Sequence, residues 1–289
     1  MEKKKFSKGK ANARPMSERL KTYEAVTTET RLIEKLPIYA RVDMRAGHTW
    51  CHGLQKPFDQ RYAAAMQKAT AYVVEKTGAA MGMTQSDEAS FVWLDDTKIP
   101  FGTRLFKLQS VLASMFTSAF VVEASRNGLA PRIAKALPSF DCRVLNLPTL
   151  EEAANMVMWR SMDSVKNSIT LLALEHFSNK QIHGKNGNEK IKMLAEKGVD
   201  YYAVPENLRL GAFCRRETYD KVLTKEELAK IPENQLILDE NGEMKVVRSH
   251  VVQFSLGMPL TEISNKAGVL FMAETPVKKE INENGQKQN

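Results

Sequence analysis

The chain has 289 residues, 43% of them hydrophobic, and a formal net charge of +8 at pH 7. This size allows a large core, in one domain with an appendage or in two domains, and the sequence contains neither an apolar run long enough to span a bilayer nor an apolar signal core, which argues against a membrane or secreted protein. The three cysteines show no paired spacing, which argues against structural zinc and favours a reducing compartment, so we expect a cytoplasmic protein without a membrane partner.

The positive charge is concentrated at the N-terminus. Residues 1–14 carry six cations and one anion, so they contribute +5 of the total of +8 and leave +3 for the rest of the chain. A basic tail on a mildly basic body is typical of enzymes that bind a polyanion, although a solvated tail without a partner has the same composition. We predict a basic, disordered tail over residues 1–16.

The first predicted helix covers residues 17–34, with Ser17 as its N-cap. A strand over residues 37–42 follows and ends at a lone acid, Asp43. The next residues, 44–50, are turn-like and contain an Ala-Gly pair. Such a loop can present backbone N–H groups to a phosphate, although one glycine is a weak signal.

A second helix and a hairpin are predicted next. Asp59 is the expected N-cap of a helix over residues 60–76, which Gly78 ends. Strand-like runs at residues 79–84 and 89–94 then flank a turn with Asp87 and Glu88 at its tip. Acidic turns are common on protein surfaces, so this acidic pair alone is more simply explained as ordinary turn chemistry.

A long helix is predicted over residues 103–126, because its apolar residues recur at three- and four-residue spacing, and Gly128 ends it. Arg104 and Lys107 lie on one face at its start. A helix N-terminus favours anions, so these two cations form a candidate triphosphate site. The alternative is a solvated basic face, and without other information that alternative is the simpler one.

A strand over residues 139–147 completes the order strand, helix, strand, strand, helix, strand. This is the ferredoxin-like split βαβ arrangement of an α+β protein. In it, Asp43 and the Asp87 hairpin can lie on neighbouring central strands. Two acids at neighbouring strand ends can hold divalent cations a few ångströms apart, as two-metal nucleotidyl transfer requires.

The remaining half of the chain carries weaker signals. A helical region opens at Thr149 with a candidate capping box, and its expected core stripe is formed by Trp159, Met162, Ile169 and Leu172. Past Glu217, residues 224–227 begin a short capped helix, and Asn241-Gly242 between two extended runs indicates a hairpin. Residues after 274 have the composition of a disordered polar tail.

Several of these segments resemble motifs of the tRNA(His) guanylyltransferase family, the reverse polymerases that add nucleotides to RNA 5′ ends. Residues 43–50, Asp-Met-Arg-Ala-Gly-His-Thr-Trp, resemble its motif Asp-Gly-Arg-x-Phe-His-x-Phe. Residues 85–91, Gln-Ser-Asp-Glu-Ala-Ser-Phe, resemble Gln-Ser-Asp-Glu-Tyr-Ser-Phe, and residues 140–144 resemble Phe-Asp-Gly-Arg-Val. Trp159-Arg160 with Asp163 and Asn167 resembles a later signature. The similarity runs in matching order over residues 17–216.

The resemblance implies a polymerase- and cyclase-like palm fold, two Mg²⁺ ions, ATP and GTP as substrates, tRNA as partner and a homotetramer. The implied catalytic residues are Asp43, Asp87 and Glu88. Asp43, Asp87 and the Met44 carbonyl would hold the ions, with Glu88 supporting them. The implied nucleotide-binding residues are Arg45, Ala46, Gly47, His48, Lys56, Ser86, Arg104 and Lys107. The implied RNA-binding residues are Asp163, Asn167 and Arg209.

With this resemblance, the chain divides into a tail (1–16), a palm catalytic domain (17–148), a helical RNA-binding part (149–216), an extension with a hairpin (217–273) and a second tail (274–289). The implied reaction has two steps. The 5′-monophosphate of tRNA attacks the α-phosphate of ATP, and the 3′-hydroxyl of GTP or of a templated nucleotide then attacks the activated end and expels AMP. No protein nucleophile is required.

The departures from the family motifs bear on specificity. Met44 replaces a glycine and Gly47 replaces a phenylalanine. The His-Ile-Asn-Asn-Leu-Tyr-Asn signature tied to tRNA(His) recognition is present only as Val-Lys-Asn-Ser-Ile-Thr-Leu at residues 165–171. We therefore favour templated repair of truncated tRNA 5′ ends over strict tRNA(His) maturation. The rival hypotheses are a palm-type nucleotide cyclase, which needs no tRNA surface, and a non-catalytic RNA-binding protein, which needs no set of three acids.

Overall fold

A single antiparallel sheet organises the protein. The computed structural model describes residues 15–94, 99, 101–232 and 239–280. Residues 1–14 and 281–289, which hold most of the two predicted tails, lie outside the described residues, as does the run 233–238 that precedes Asn241-Gly242.

The sheet has six strands in the order β4-β1-β3-β2-β5-β6. The strands are β1 (Ile38–Met44), β2 (Met81–Gln85), β3 (Glu88–Trp93), β4 (Phe140–Asn146), β5 (Ala212–Val222) and β6 (Lys245–Phe254). The first four have the ferredoxin-like order predicted from the sequence, with β1 and β3 as central neighbours. The α+β palm-like fold is therefore confirmed.

Eleven α-helices accompany the sheet in the described residues. They are α1 (Met16–Thr28), α2 (Gly47–Cys51), α3 (Gln60–Thr77), α4 (Leu105–Ala124), α5 (Ala130–Lys135), α6 (Leu150–His176), α7 (Asn179–Ile182), α8 (Gly187–Glu196), α9 (Glu206–Arg209), α10 (Lys225–Leu228) and α11 (Lys266–Phe271). α3 and α4 cover one face of the sheet and α6 covers the other.

Local signals account for several helix ends. The Asp59 carboxylate accepts hydrogen bonds from the N–H groups of Arg61 (3.0 Å) and Tyr62 (3.3 Å), which confirms it as the N-cap of α3. Gly78 ends α3 in the left-handed conformation, with φ of 71°. The predicted capping box of α10 is present, between Thr224 and Glu227.

The first helix is shorter than predicted. α1 begins at Met16, with Pro15 rather than Ser17 at the N-cap position, and it ends at Thr28 rather than at residue 34. The chain after α1 becomes extended because Arg31 forms an isolated antiparallel bridge with Arg104. This tertiary pairing is not visible in the local sequence pattern.

α4 is the most apolar helix of the sheet layer. By length and composition, the helical stretch from Leu105 to Lys135 is the one segment of the described residues that could cross a membrane, which the sequence prediction did not anticipate. Its side chains at four-residue spacing, Leu108, Leu112, Phe116 and Phe120, are nevertheless buried against the sheet in the main core.

The predicted core stripe of α6 was half wrong. Trp159 is 50% exposed and Met162 38% exposed, whereas Ile169 and Leu172 are buried. The buried side of α6 over the sheet is built mainly from small residues: Ala153, Ala154, Val157, Ser161 and Ser164. Small side chains let the helix approach the sheet closely, and the large residues are left on the outer side.

The C-terminal extension belongs to the sheet. β5 begins at Ala212 and pairs with β2, so the strand runs across the predicted division at residues 216/217. β5 and β6 are antiparallel neighbours from Phe213–Phe254 to Val222–Lys245. The extension therefore continues the catalytic sheet by two strands.

Candidate active site

Three acidic residues lie side by side across the end of the sheet. Asp43, near the end of β1, is opposite Glu88 on β3 and opposite Asp141 on β4. Asp87 occupies the two-residue turn between β2 and β3, and its carbonyl accepts a hydrogen bond from the Met44 N–H (2.9 Å). The structure thus brings Asp43 and Asp87 together on neighbouring central strands, as predicted.

The Asp87 side chain lies against the start of α2. A Cβ on Gly47 would overlap Asp87 Oδ2 and would be 2.7 Å from Asp87 Cγ. Glycine at position 47 therefore permits the Asp87 carboxylate to lie where it does, and any larger residue there would displace it. Ala46 and Ser86, which flank the two acids, have left-handed backbone conformations with φ of 53° and 47°. Such conformations are uncommon for residues other than glycine and cluster at functional sites.

The acids leave negative charge partly uncompensated at this end. Burial raises the pKa of the Asp43 carboxyl, and the neighbouring carboxylates of Asp87 and Glu88 raise it further. Arg41, whose Nε is 3.8 Å from Asp43 Oδ2, opposes this rise. A carboxyl destabilised in its ionised form by two neighbouring acids is a natural place for a bound cation.

Glu88 has a different environment from Asp43. It is buried and accepts two hydrogen bonds from Arg160 on α6, from Nε (2.6 Å) and NH2 (2.9 Å). Arg160 in turn pairs with Asp163 at 2.9 Å. This bidentate contact joins α6 to β3 at the residue opposite Asp43. Glu88 therefore supports the site through a buried ion pair, as a positioning residue.

The predicted phosphate cradle lies beside the acids. Arg45, Ala46, Gly47 and His48 connect β1 to α2, and the N–H groups of Ala46, Gly47 and His48 donate no hydrogen bond to other residues in the described ranges. Lys56 lies in the loop between α2 and α3, at the same end of the sheet. Free N–H groups next to cations can receive phosphate oxygens.

Arg104 and Lys107 are not part of this cluster. Arg104 is the N-cap of α4 and bridges to Arg31, while Ile33 binds Asn146 at the end of β4. That end of the sheet is opposite to Asp43, about 20 Å away along a seven-residue strand. Within one chain, a triphosphate bound at Asp43 and Asp87 does not reach these two cations.

The predicted RNA-binding residues are divided between two places. Asp163 and Asn167 lie one turn apart on α6, and Asn167 donates to the Gln85 side chain next to the hairpin turn (3.4 Å). Arg209 lies in α9, where its guanidinium donates to the Val204 carbonyl (2.8 Å) and stacks near Tyr202. Asp163 and Asn167 thus lie beside the acids, and Arg209 is held at the Tyr201–Tyr202 turn.

Side-chain nucleophiles are not prepared at this site. Burial raises the pKa of Cys51 to about 11 and that of Cys142 and Cys214 to about 12, so these thiols are protonated at neutral pH. Among the described residues, no group of three or more His, Cys, Asp and Glu side chains is arranged to hold a metal ion. A cation at this end would depend on two carboxylates together with backbone oxygen.

Three residues of the site were not given a role from the sequence: Arg41, Asp141 and Arg160. Arg160 had a usable signal, because it falls three residues after Val157 on the buried face of α6, and a cation there needs a buried partner. Asp141 offered no such signal, and its place opposite Asp43 follows from strand register. Arg41 precedes Asp43 by two residues on β1, so strand alternation puts both side chains on one face, which the sequence alone could have indicated.

Comparison with known proteins places this geometry in a family. A family model described as tRNAHis guanylyltransferase matches residues 17–148. An uncharacterized protein of Acanthamoeba polyphaga mimivirus is 23% identical over 268 residues, covering 84% of this chain and 85% of its own length. A probable tRNA(His) guanylyltransferase of Dictyostelium discoideum is 30% identical over 141 residues, which is 48% of this chain and 54% of that protein.

Solved structures agree with these matches. A bacterial tRNA(His) guanylyltransferase-like protein in complex with ATP is 32% identical, with a TM-score of 0.62, and the match covers 70% of this chain and 88% of that one. A bacterial tRNA(His) guanylyltransferase-like protein in complex with GTP is 26% identical, with a TM-score of 0.59, and the match covers 82% and 90%.

Proposed function

The chain belongs to the tRNA(His) guanylyltransferase family and is therefore a nucleotidyltransferase; from this premise we propose that it adds nucleotides to the 5′ ends of tRNA, with ATP and GTP as substrates. The observation that carries the proposal is the pairing of Asp43 and Asp87 on neighbouring central strands, with the pKa of Asp43 raised by burial and by its acidic neighbours. The ATP and GTP bound by the bacterial relatives support the choice of substrates.

The donors at this end of the sheet fit Mg²⁺. The carboxylates of Asp43 and Asp87 and the Met44 carbonyl are hard oxygen donors, and the raised pKa of Asp43 indicates negative charge that a cation would offset. We assign two Mg²⁺ ions to these groups. When bound, Mg²⁺ lowers the pKa of an attacking hydroxyl and offsets negative charge on phosphoryl oxygens.

The chain itself contributes mainly orientation and charge. The 5′-monophosphate of the RNA attacks the α-phosphate of ATP and releases pyrophosphate, and the 3′-hydroxyl of the incoming nucleotide then attacks the activated phosphate and releases AMP. The N–H groups of residues 46–48 and the cations Arg45 and Lys56 receive phosphate oxygens. The ion pair between Glu88 and Arg160 keeps β3 in place beside Asp43.

We assign templated repair as the physiological form of the reaction. The family signature tied to tRNA(His) recognition is absent at residues 165–171. The sequence motif that would restrict the reaction to the histidine anticodon is therefore missing there. Asn167 contacts Gln85 beside the hairpin turn and Asp163 pairs with Arg160, and we infer that an RNA end contacts these two residues as it enters the site. The nucleotide would then be selected by pairing with the opposing strand.

The deciding experiment uses tRNAs that lack their first nucleotide and carry each of the four bases at the opposing 3′-strand position. Each nucleoside triphosphate is supplied singly with ATP, and products are resolved on a gel. We expect incorporation of the complementary nucleotide irrespective of anticodon. Incorporation of GTP alone, opposite any base and only with the histidine anticodon, would establish strict tRNA(His) maturation instead. Cyclic nucleotide formed without RNA extension would identify a cyclase.

We also assign a triphosphate-binding role to Arg104 and Lys107, at a place separate from the Asp43 end. Arg104→Ala and Lys107→Ala should each weaken the use of triphosphate by about 1.5–3 kcal/mol, the value of a charge-assisted hydrogen bond. An effect on RNA length preference alone would show that these cations do not bind nucleotide.

Homotetrameric assembly and cytoplasmic localisation, with all three cysteines unpaired, complete the proposal.

A further inference from the structure

The last strand of the sheet has an open edge. β6 follows β5 at the end of the strand order, and its outer side receives no backbone hydrogen bond from the residues that the structure describes. One hydrogen bond shows which residues of β6 direct their backbone groups towards β5. The Leu223 N–H donates to the Met244 carbonyl (2.9 Å), so the even-numbered residues of β6 direct their N–H and C=O groups to β5. The odd-numbered residues, including Val247, Ser249 and Val251, therefore direct their N–H and C=O groups outward.

Most of this edge lies on a ribbon that extends beyond the rest of the sheet. β2 pairs with β5 only over Ala212–Arg215, so the part of β5 from residue 216 to 222 has β6 as its only strand neighbour among the described strands. The ribbon exposes apolar side chains: Val247 is 70% exposed and Tyr219 45% exposed. Two-stranded ribbons are marginally stable alone, and long apolar edges are normally covered or interrupted. β6 contains neither proline nor glycine.

The sequence of the edge is symmetric about one residue. Residues 246–252 are Val-Val-Arg-Ser-His-Val-Val. The same kinds of residue therefore occur at equal distances on both sides of Ser249, with one basic residue and then two valines on each side. If a second β6 pairs antiparallel with Ser249 opposite itself, Val247 lies opposite Val251 and Val246 lies opposite Val252. Ser249 directs its N–H and C=O groups away from β5, so these groups can form hydrogen bonds with those of Ser249 in the second strand. A twofold axis then passes between the two Ser249 residues.

We propose that two copies of this chain associate through β6, which joins their sheets into one continuous antiparallel sheet. The proposed occupant is a second copy because valines lie opposite valines on both sides of the axis, although Arg248 lies opposite His250 and Lys245 opposite Gln253, with no acidic residue across from either cation. The proposal concerns assembly and does not depend on the nucleotidyl transfer reaction. A monomeric unsubstituted protein would overturn it, and nucleotide incorporation by that monomer would leave the proposed reaction intact.

The register can be tested by cross-linking the full-length protein. Ser249→Cys places two thiols opposite each other, at the Cα separation of about 5.5 Å expected for a hydrogen-bonded pair, which a disulfide can span. Mild oxidation should give a covalent dimer on non-reducing gels. Val247→Cys is the matched control, since its two copies are four residues apart and should not link. A mixture of Val247→Cys and Val251→Cys chains should link. The unsubstituted protein measures the contribution of the three native cysteines.

Equal linking of Ser249→Cys and Val247→Cys, or no linking of either, would overturn the pairing. An independent test uses sedimentation equilibrium. Val247→Pro removes an outward-directed N–H group and keeps all hydrogen bonds to β5. The mass of the assembly, which is built from chains of 32.6 kDa, should therefore fall to half that of the unsubstituted protein. Val247→Thr retains that N–H and should retain the assembly. Circular dichroism and thermal unfolding confirm that each variant is folded. An unchanged mass with weakened tRNA binding would assign the edge to RNA and contradict the proposal.

Discussion

At the scale of single residues, the site depends on how closely two carboxylates approach each other and the backbone. Asp87 lies against Gly47, and Asp43 lies between Glu88 and Asp141. These contacts are unfavourable for the ionised acids without a cation, and the surrounding structure maintains them. Arg160 neutralises Glu88 but does not contact Asp43.

Replacing Asp43 by asparagine should abolish nucleotidyl transfer and stabilise the metal-free protein at neutral pH. The folded-state pKa of Asp43 is raised, so its favourable contribution is complete below the unfolded pKa and is lost as pH rises through the folded pKa. The variant should therefore unfold at a higher temperature than the parent at pH 7, with the difference shrinking as the pH falls to 4. Mg²⁺ should raise the unfolding temperature of the parent only.

The control for this experiment is Asp220→Asn. Asp220 is exposed on β5, and its carboxylate forms no ion pair with the residues that the structure describes. It should alter neither activity nor the response to Mg²⁺. Turnover near the parental rate in a folded Asp43→Asn protein would contradict the assignment of Asp43 as a metal ligand.

Replacing Gly47 by alanine should lower activity with little change in stability. The added Cβ would overlap the Asp87 carboxylate and displace it, and a displacement of about 1 Å in a catalytic group costs on the order of 100-fold in rate. The measurement is nucleotide incorporation at saturating substrate, with thermal unfolding measured in parallel. Gly187→Ala, at the start of α8, is the control and should retain full activity. An unaffected Gly47→Ala enzyme would mean that Asp87 does not need its present position.

Replacing Arg160 by methionine tests whether Glu88 acts through its ion pair. Removing one partner of a buried pair leaves a buried charge and costs about 3–5 kcal/mol, so unfolding by denaturant should show a loss of that size. Glu88→Gln keeps the shape of the side chain and should retain more stability and part of the activity. If Glu88→Gln removed all activity at full stability, Glu88 would be a direct participant in the reaction.

At the scale of elements, the helices on the catalytic face begin and end where local chemistry requires. Asp59 begins α3, and its carboxylate accepts hydrogen bonds from the Arg61 side chain (2.6 Å) and from the Gln55 N–H (3.0 Å). The bond from Gln55 ties the loop containing Lys56 to the helix start. Hydrogen bonds from Arg61 hold the pKa of the Asp59 carboxyl at about 2, and the Gln55 and Tyr62 N–H groups contribute to the same shift.

Replacing Asp59 by alanine should destabilise the protein by about 1–2 kcal/mol at pH 7, the value of a lost N-cap. The pKa is lowered in the folded state, so this stabilisation is present above the unfolded pKa of about 3.8 and is lost as the pH falls towards 2. Denaturant unfolding should therefore show a difference between parent and variant at pH 7 that narrows between pH 4 and pH 2. A difference that stayed constant over that range would show that packing, not the carboxylate, stabilises this helix start.

At the scale of the whole molecule, charge and sheet extension set the relation to RNA. Residues 1–14 carry +5 of the net charge of +8, and the other 275 residues together carry only +3. Long-range attraction of a tRNA would therefore depend strongly on the tail, whereas positioning of its 5′ end would depend on the site beside β1 and β3.

Deletion of residues 1–14 should weaken tRNA binding and reduce its dependence on salt. Each lost phosphate contact should lower the slope of log K against log salt by about one. Turnover at saturating tRNA should be unchanged, because the deletion leaves Asp43 and Asp87 in place. The measurement is tRNA binding over a salt series. A slope equal to that of the full chain would show that the tail does not contact RNA.

Features that depend on neighbours along the chain could be predicted from the residues alone. The capping oxygen of Asp59, the left-handed glycine at 78 and the turn that contains Asp87 were all predictable, because each acts within a few residues. Glu88, predicted beside Asp87 at the tip of that turn, is instead the first residue of β3 and is buried. The order of strands and helices then predicted the ferredoxin-like sheet and the meeting of Asp43 with Asp87. The motif resemblance identified the family, which the comparisons confirmed.

Features that depend on residues distant in the chain could not be predicted in this way. The end of α1 follows from the bridge between Arg31 and Arg104, and the exposure of Trp159 follows from close packing of small α6 residues on the sheet. The separation of Arg104 and Lys107 from the acids follows from the antiparallel return of the chain, since α4 begins at the end of the sheet opposite to Asp43. Helix periodicity shows which residues share a face, but the direction in which that helix crosses the sheet is set by the packing of the whole fold.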